Sequence, residues 1–149
     1  KHQVDKIHFT TCQTVQLHNL NGGSVCEIME AAVDVGIITM GGGGDFPRNV
    51  MCSPLSGVEK DEYFNVMPYA EAAADYLMNF IKAEKMPRKL KVAFSSSPKN
   101  LTHATFRDLA LQPDPMENLT FTAPEAWETI PASASRSLKP WIRKRSFTM

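Results

Sequence analysis

Residues 68–85, PYAEAAADYLMNFIKAEK, carry the strongest periodic signal in the chain. Tyr69, Ala72, Ala73, Tyr76, Leu77, Phe80 and Ile81 recur at helical spacing, and Pro68 suits a first helical turn. A helix with one apolar stripe is stable only when that stripe is covered, so its aromatic residues read as core rather than as cofactor contacts. The cover must come from the flanks. KIHFTTCQTVQLHNL alternates over two short runs, with Ile7, Phe9, Val15 and Leu17 on one parity and His8, Thr10, Cys12, Thr14, Gln16 and His18 on the other. It predicts two strands or one long bent strand. A second strand pattern runs from about Leu90 to Ser95, behind the basic entry MPRK.

Between these lies SVCEIMEAAVDVG, which predicts a second helix. Ser24 and Glu27 form a capping-box pattern, Val25, Ile28, Met29, Ala32 and Val33 keep one stripe, and Gly36 fits just past the end. Cys26 lies on this stripe and is expected in the core. IITM predicts a short strand leading into a glycine run. The order strand, strand, helix, strand, loop, helix, strand implies an α+β domain with helices packed on one mixed sheet.

The chain has 149 residues, enough for one domain with a core. Lysine plus arginine equal aspartate plus glutamate at 16 each, so no global field favours nucleic acid or an anionic membrane as partner. No segment is long and apolar enough to span a bilayer, and KHQVDKIHF is not a signal peptide. The abrupt entry into a strand pattern suggests a fragment. Cys12, Cys26 and Cys52 are odd in number and widely spaced, which suggests reduced cytoplasmic thiols rather than a disulfide frame. An iron–sulfur cluster usually takes four cysteine thiolates, more than this chain carries.

The stretch GGGGDFPRNVMCSP sets much bare backbone beside one arginine. A phosphate loop would need Lys and Ser/Thr after its last glycine, where Asp45 and Phe46 stand. A dinucleotide fingerprint would open a helix, and Pro47 follows at once instead. From about Ala110 the character changes again. Half of the ten prolines and both tryptophans lie beyond it, while all eight glycines lie at or before Gly57. Synonymous codons for MENLTFTAPEAWETIP, read two bases later, give the glycine-rich GKFDVYSAGGLGNNP. The expectation is a frameshifted, irregular tail over 110–149, with little regular packing after Leu109 and with Trp127 and Trp141 exposed.

Three collinear stretches between about residues 7 and 109 together resemble the sirohaem-dependent nitrite and sulfite reductases. HFTTCQTVQLHNL is similar to that family's T-x-R-Q-x-x-Q strand. GDFPRNVMCSPLSGVE is similar to its G-D-x-x-R-N-V-x-x-x-P-x-x-G block. MPRKLKVAFSSSP, followed by THATFRDL, resembles its L-P-R-K-F-K strand and the segment after it.

The resemblance implies a ferredoxin-like half domain over 1–82 and the beginning of a sirohaem and [4Fe–4S] domain over 86–109. It implies an oxidoreductase that carries out six-electron reduction of sulfite to sulfide or of nitrite to ammonia. Lys89 and Lys91 would be catalytic, facing the substrate anion. Cys12, Gln13, Arg48 and Asn49 would contact the cofactor, and Arg88 would be structural. Sirohaem carries several carboxylates, so an arginine fork and unobstructed backbone suit it. The cluster cysteines, the electron donor and the remaining half of the enzyme would lie elsewhere. Cys12 stands where the family has an arginine, and a thiol cannot make the bidentate contact. His103 matches a family position, with capping or packing as its expected role. The competing expectations are a non-catalytic fragment and a nucleotide-binding α/β protein.

Overall fold

The computed structural model describes residues 4–83, 86, 88–114 and 119–122. Two strands, β1 (Lys6–Phe9) and β2 (Val15–His18), pair antiparallel with Ile7 opposite Leu17 and Phe9 opposite Val15. A tight turn at 10–14 joins them, closed by Thr10 N donating to Thr14 O at 2.9 Å and by Gln13 at φ 55°. Next comes α1 (Gly22–Asp34). After the glycine loop follow β3 (Met51–Cys52), α2 (Met67–Met78), α3 (Phe80–Ala83), β4 (Val92–Phe94), β5 (Leu109–Pro113) and β6 (Leu119–Thr122). The second sheet is mixed, in the order β3-β4-β5-β6, with β6 antiparallel to β5 and the other pairs parallel.

The core forms where α2 covers one face of this sheet. Ala70, Ala73 and Leu77 meet Cys52, Val66, Leu90, Val92, Phe94, Leu109 and Leu111, with Tyr69, Tyr76 and Phe80 packed around them. Small residues on the helix let it lie close to the sheet, so Phe94 is fully enclosed at 0% exposure. Burying such a side chain contributes roughly 1.5–3 kcal/mol. The helical stripe read from sequence is therefore the core contact, although the helix is not continuous. At Asn79 the side-chain amide donates to Tyr76 O at 3.1 Å, and the chain turns into α3.

Elsewhere the structure corrects the sequence reading. Helix α1 is capped by Asn21, whose Oδ1 accepts from Ser24 N at 2.9 Å, so it starts before Ser24 and runs through Gly22 and Gly23. Two glycines are poor helix formers, which hid that first turn. Gly36 does close the helix, at φ 77°. No residue of α1 is buried, and Cys26, expected in the core, is exposed. Its stripe has no covering element among the described residues. The IITM segment is not a strand, and Ile37 and Ile38 are exposed. Without a neighbouring strand to complete a ladder, β-branched composition alone does not make one.

The expected loss of packing after Leu109 does not hold for the described part of the tail, 110–114 and 119–122, and the rest of 110–149 lies outside the described residues. Ala110 pairs with Ala93 and with Thr122, and Ala110 and Leu111 are buried. Trp127 and Trp141 lie outside the described residues. Among the described residues no helix is long and apolar enough to cross a membrane.

Candidate functional site

Alternation along β4 divides the side chains between two faces. Leu90, Val92 and Phe94 enter the core beneath α2, while Ala93 joins a separate cluster with Met51, Ala104 and Ala110. Lys91, and by the same period Lys89, therefore belong to the face away from α2. Both are half-buried. Cys12 packs against the cluster on that face. The hairpin turn thus lies over a floor of small residues, with the lysine strand running through it.

Four side chains hold this arrangement. Gln13 Nε2 donates to Cys52 O at 2.6 Å, and Cys52 N donates back to Gln13 Oε1 at 2.9 Å. Asn49 Nδ2 donates to Cys12 O at 2.9 Å and to Gln13 O at 3.3 Å. Arg107 Nη2 reaches Thr11 O at 3.2 Å. Asp108 Oδ2 accepts from Lys91 N at 2.7 Å, while Leu109 N donates to Lys91 O at 3.1 Å. The backbone of Lys91 is accordingly tied to the start of β5 from both sides.

Arg48 lies on the neighbouring segment, its N donating to Leu90 O at 2.9 Å. One strand spacing thus separates it from the two lysines that flank Leu90. Its Nη1 donates to Gly42 O and folds the glycine loop back on itself. Its Nε is buried and has no hydrogen-bond partner. Arg48 and Asn49 line a cleft of about 190 Å³ with Thr14, Gly41 and Gly42 and with Asp75 and Leu77 of α2. Lys89 and Lys91 do not line it. The cations therefore sit around one segment of backbone but on two surfaces, the cleft for Arg48 and the sheet face away from α2 for the lysines.

Gly41 explains part of the glycine run. At φ 77°, its position would bring a Cβ within 2.8 Å of Ile81 Cδ1 and 3.2 Å of Pro47 O. A side chain there would displace the end of Ile81 and press on the Pro47 carbonyl, and the left-handed backbone adds strain. The loop is built for close approach, here to α3 and to the chain entering Arg48.

Cys12, Gln13, Arg48 and Asn49 all fall within this region, joined by the bonds described. Gln13 and Asn49 spend amide hydrogens on backbone carbonyls, which makes them positioning residues. His103 has φ 49°, donates its backbone N–H to Asn100 O at 2.8 Å and meets Phe106 edge-on at 6.2 Å between ring centres. It belongs to the turn before the 3-10 segment Ala104–Phe106. Arg107 and Asp108 were not picked out from sequence. Neither sits in a periodic element, so only the strand pairing brings them to Lys91 and Cys12. Among the described residues no group of three or more His, Cys, Asp or Glu could hold a metal ion.

The chain is similar in sequence and fold to known proteins. The family described as "Nitrite and sulphite reductase 4Fe-4S domain" matches residues 43–118, which takes in the glycine loop, α2, both lysines and β5. The ferredoxin–nitrite reductase of Synechococcus elongatus is 31% identical over 111 residues, covering 72% of this chain and 22% of the relative. The assimilatory ferredoxin-dependent nitrite reductase of Haloferax mediterranei is 27% identical over 107 residues, 72% of this chain and 18% of its own. A sulfite reductase [ferredoxin] of Mycolicibacterium paratuberculosis is 32% identical over 93 residues, 62% of this chain and 17% of the relative. Among solved structures, the Mycobacterium tuberculosis NirA protein superposes with a TM-score of 0.65 at 29% identity, over 77% of this chain and 21% of that one. The chain thus spans about a fifth of the length of the relatives it matches.

Proposed function

The chain belongs to the nitrite and sulphite reductase family, and from that membership we propose that it supplies the anion-binding side of an oxidoreductase acting on nitrite or sulfite. The observation that carries this reading is the shared face of Lys89, Lys91 and the Cys12 turn, floored by Ala93 and Ala110. Alternation along the strand sets Lys89 and Lys91 on one face of it, the combination of charges that a small anion requires. The relatives' names pair the nitrite and sulfite activities with ferredoxin, which makes a ferredoxin the proposed electron donor.

The residues present fit a carboxylate-rich macrocycle. Arg48 Nε is a buried donor without a hydrogen-bond partner, beside the glycine loop. Arg48 would hold a carboxylate of sirohaem, with Asn49 and Gln13 fixing the backbone around it. When bound, sirohaem with its [4Fe–4S] cluster supplies the electrons. Lys89 and Lys91 hold the substrate anion by charge, and their ammonium groups donate protons to its oxygen atoms as these leave as water. Cys12 presents a thiol to the same face and makes no such charged contact.

The remaining half of the enzyme is the proposed partner. Ile7, Phe9 and Val15 of the hairpin and Val25, Met29 and Val33 of α1 are exposed, two apolar sets without a cover among the described residues. Further segments of a longer polypeptide would cover it. Reconstitution with sirohaem tests the reading. Binding with a shifted haem-type absorbance, lost in Arg48→Gln, is expected. An unshifted spectrum in a folded chain would instead favour a non-catalytic fragment.

A further inference from the structure

Arg107 ends the 3-10 segment in extended conformation, and its backbone N donates to Ala104 O at 2.9 Å. Its guanidinium is tied at one point, Nη2 to Thr11 O. Nε is buried and has no hydrogen-bond partner. Among the described residues no carboxylate pairs with it, since the ion pairs there join Lys99 to Glu59 and Asp61. A guanidinium stays charged at any physiological pH and offers five donors. Leaving one of them buried and unpaired costs free energy that a bound acceptor would recover.

The position matters as much as the unpaired donor. Thr11 adjoins Cys12, which packs on Met51, Ala93, Ala104 and Ala110. Asp108, next to Arg107, binds the backbone of Lys91. Arg107 and Lys91 therefore bracket the same small-residue floor, one at the hairpin turn and one on the strand. We propose that Arg107 is a further anion-binding side chain of this site, its Nε and free Nη hydrogens donating to one carboxylate or oxyanion as a fork. This rests on the anion-site reading above and adds a charge at the one corner where Cys12 brings none.

The test is an NMR titration of the nitrogen-15-labelled chain, read at the arginine Nε–Hε resonances and assigned with Arg107→Lys. Sulfite and nitrite serve as small oxyanions, and uroporphyrin as an iron-free macrocyclic carboxylate. The Arg107 resonance is expected to shift and saturate with at least one of them. Arg107→Gln should weaken that binding by about tenfold, the scale of a lost charge-assisted hydrogen bond. Response to the small anions alone assigns Arg107 to substrate, and response to uroporphyrin alone assigns it to the cofactor's rim. Arg107→Lys keeps charge without the fork and should fall between. Binding of the same strength in a folded Arg107→Gln chain, but weakened in Lys89→Gln/Lys91→Gln, would overturn the role of Arg107 and leave the site standing. Failure of every probe to move Arg107 or either lysine would remove both.

Discussion

Gln13 and Cys52, separated by 39 positions, exchange two hydrogen bonds in opposite directions, Nε2 to O and N to Oε1. A primary amide presents the same donor and acceptor as a peptide unit, so the Gln13 side chain pairs with the free edge of β3 as a strand would. The pair joins the hairpin to the larger sheet, and with Asn49 and Arg107 it places the Cys12 turn. Gln13→Ala should therefore lower stability by about 1–2 kcal/mol, two net hydrogen bonds' worth. Gln13→Glu should cost nearly as much, because a carboxylate cannot donate to Cys52 O. Urea unfolding measures both, and an unchanged midpoint for either would show that the clasp contributes nothing.

The Cys52 thiol is pushed above its usual value of 9.0, chiefly by burial. The folded state thus keeps its proton where the unfolded chain gives it up. Stability from this group is full below about pH 9 and falls as pH rises further. Denaturation curves collected on either side of that pH should show the decline in the native chain and a smaller one in Cys52→Ala. The same burial predicts alkylation of exposed Cys26 before Cys52, read by mass spectrometry of partially labelled protein.

Glycines of the loop should differ sharply in tolerance. Gly41→Ala meets Ile81 and the Pro47 carbonyl in a left-handed backbone, and is expected to cost about 1–3 kcal/mol. Gly43→Ala has open space around it and should change little. Equal melting temperatures for the two variants would contradict the packing described.

A reading-frame change at the Ala110 codon is expected from sequence, and the restored frame is expected to keep the β5 pattern. One restored base would give G-F-A-A-R in place of A-L-Q-P-D, again a small residue followed by a core-facing apolar one. Resequencing the gene should recover DLGFAARSDGKFDVYSAGGLG, and an intact frame through Ala110 would end the idea.

The α2 stripe and the strand at Leu90 were legible because each is periodic and each is buried against the other. The α1 stripe was equally legible, yet Val25, Met29 and Val33 are exposed, since periodicity states what a face needs and not whether the cover is present. At the site, Lys89 and Lys91 could be placed on one face by parity alone. Arg107 could not, because its contact with Thr11 spans 96 positions and arises from the docking of a turn onto a sheet. Arg48 was read as facing a ligand, and its bond to Gly42 O is a local loop closure that spacing does not reveal.

The central claim is that Lys89 and Lys91 present charge to one anion on the face beside Cys12. Titration of the sirohaem-loaded chain with sulfite, followed by absorbance, tests it most directly. The account predicts a saturable spectral change that Lys89→Gln/Lys91→Gln weakens by tenfold or more, on the order of two lost charge-assisted contacts, with the sirohaem still bound. The same sulfite affinity in the double variant would contradict it.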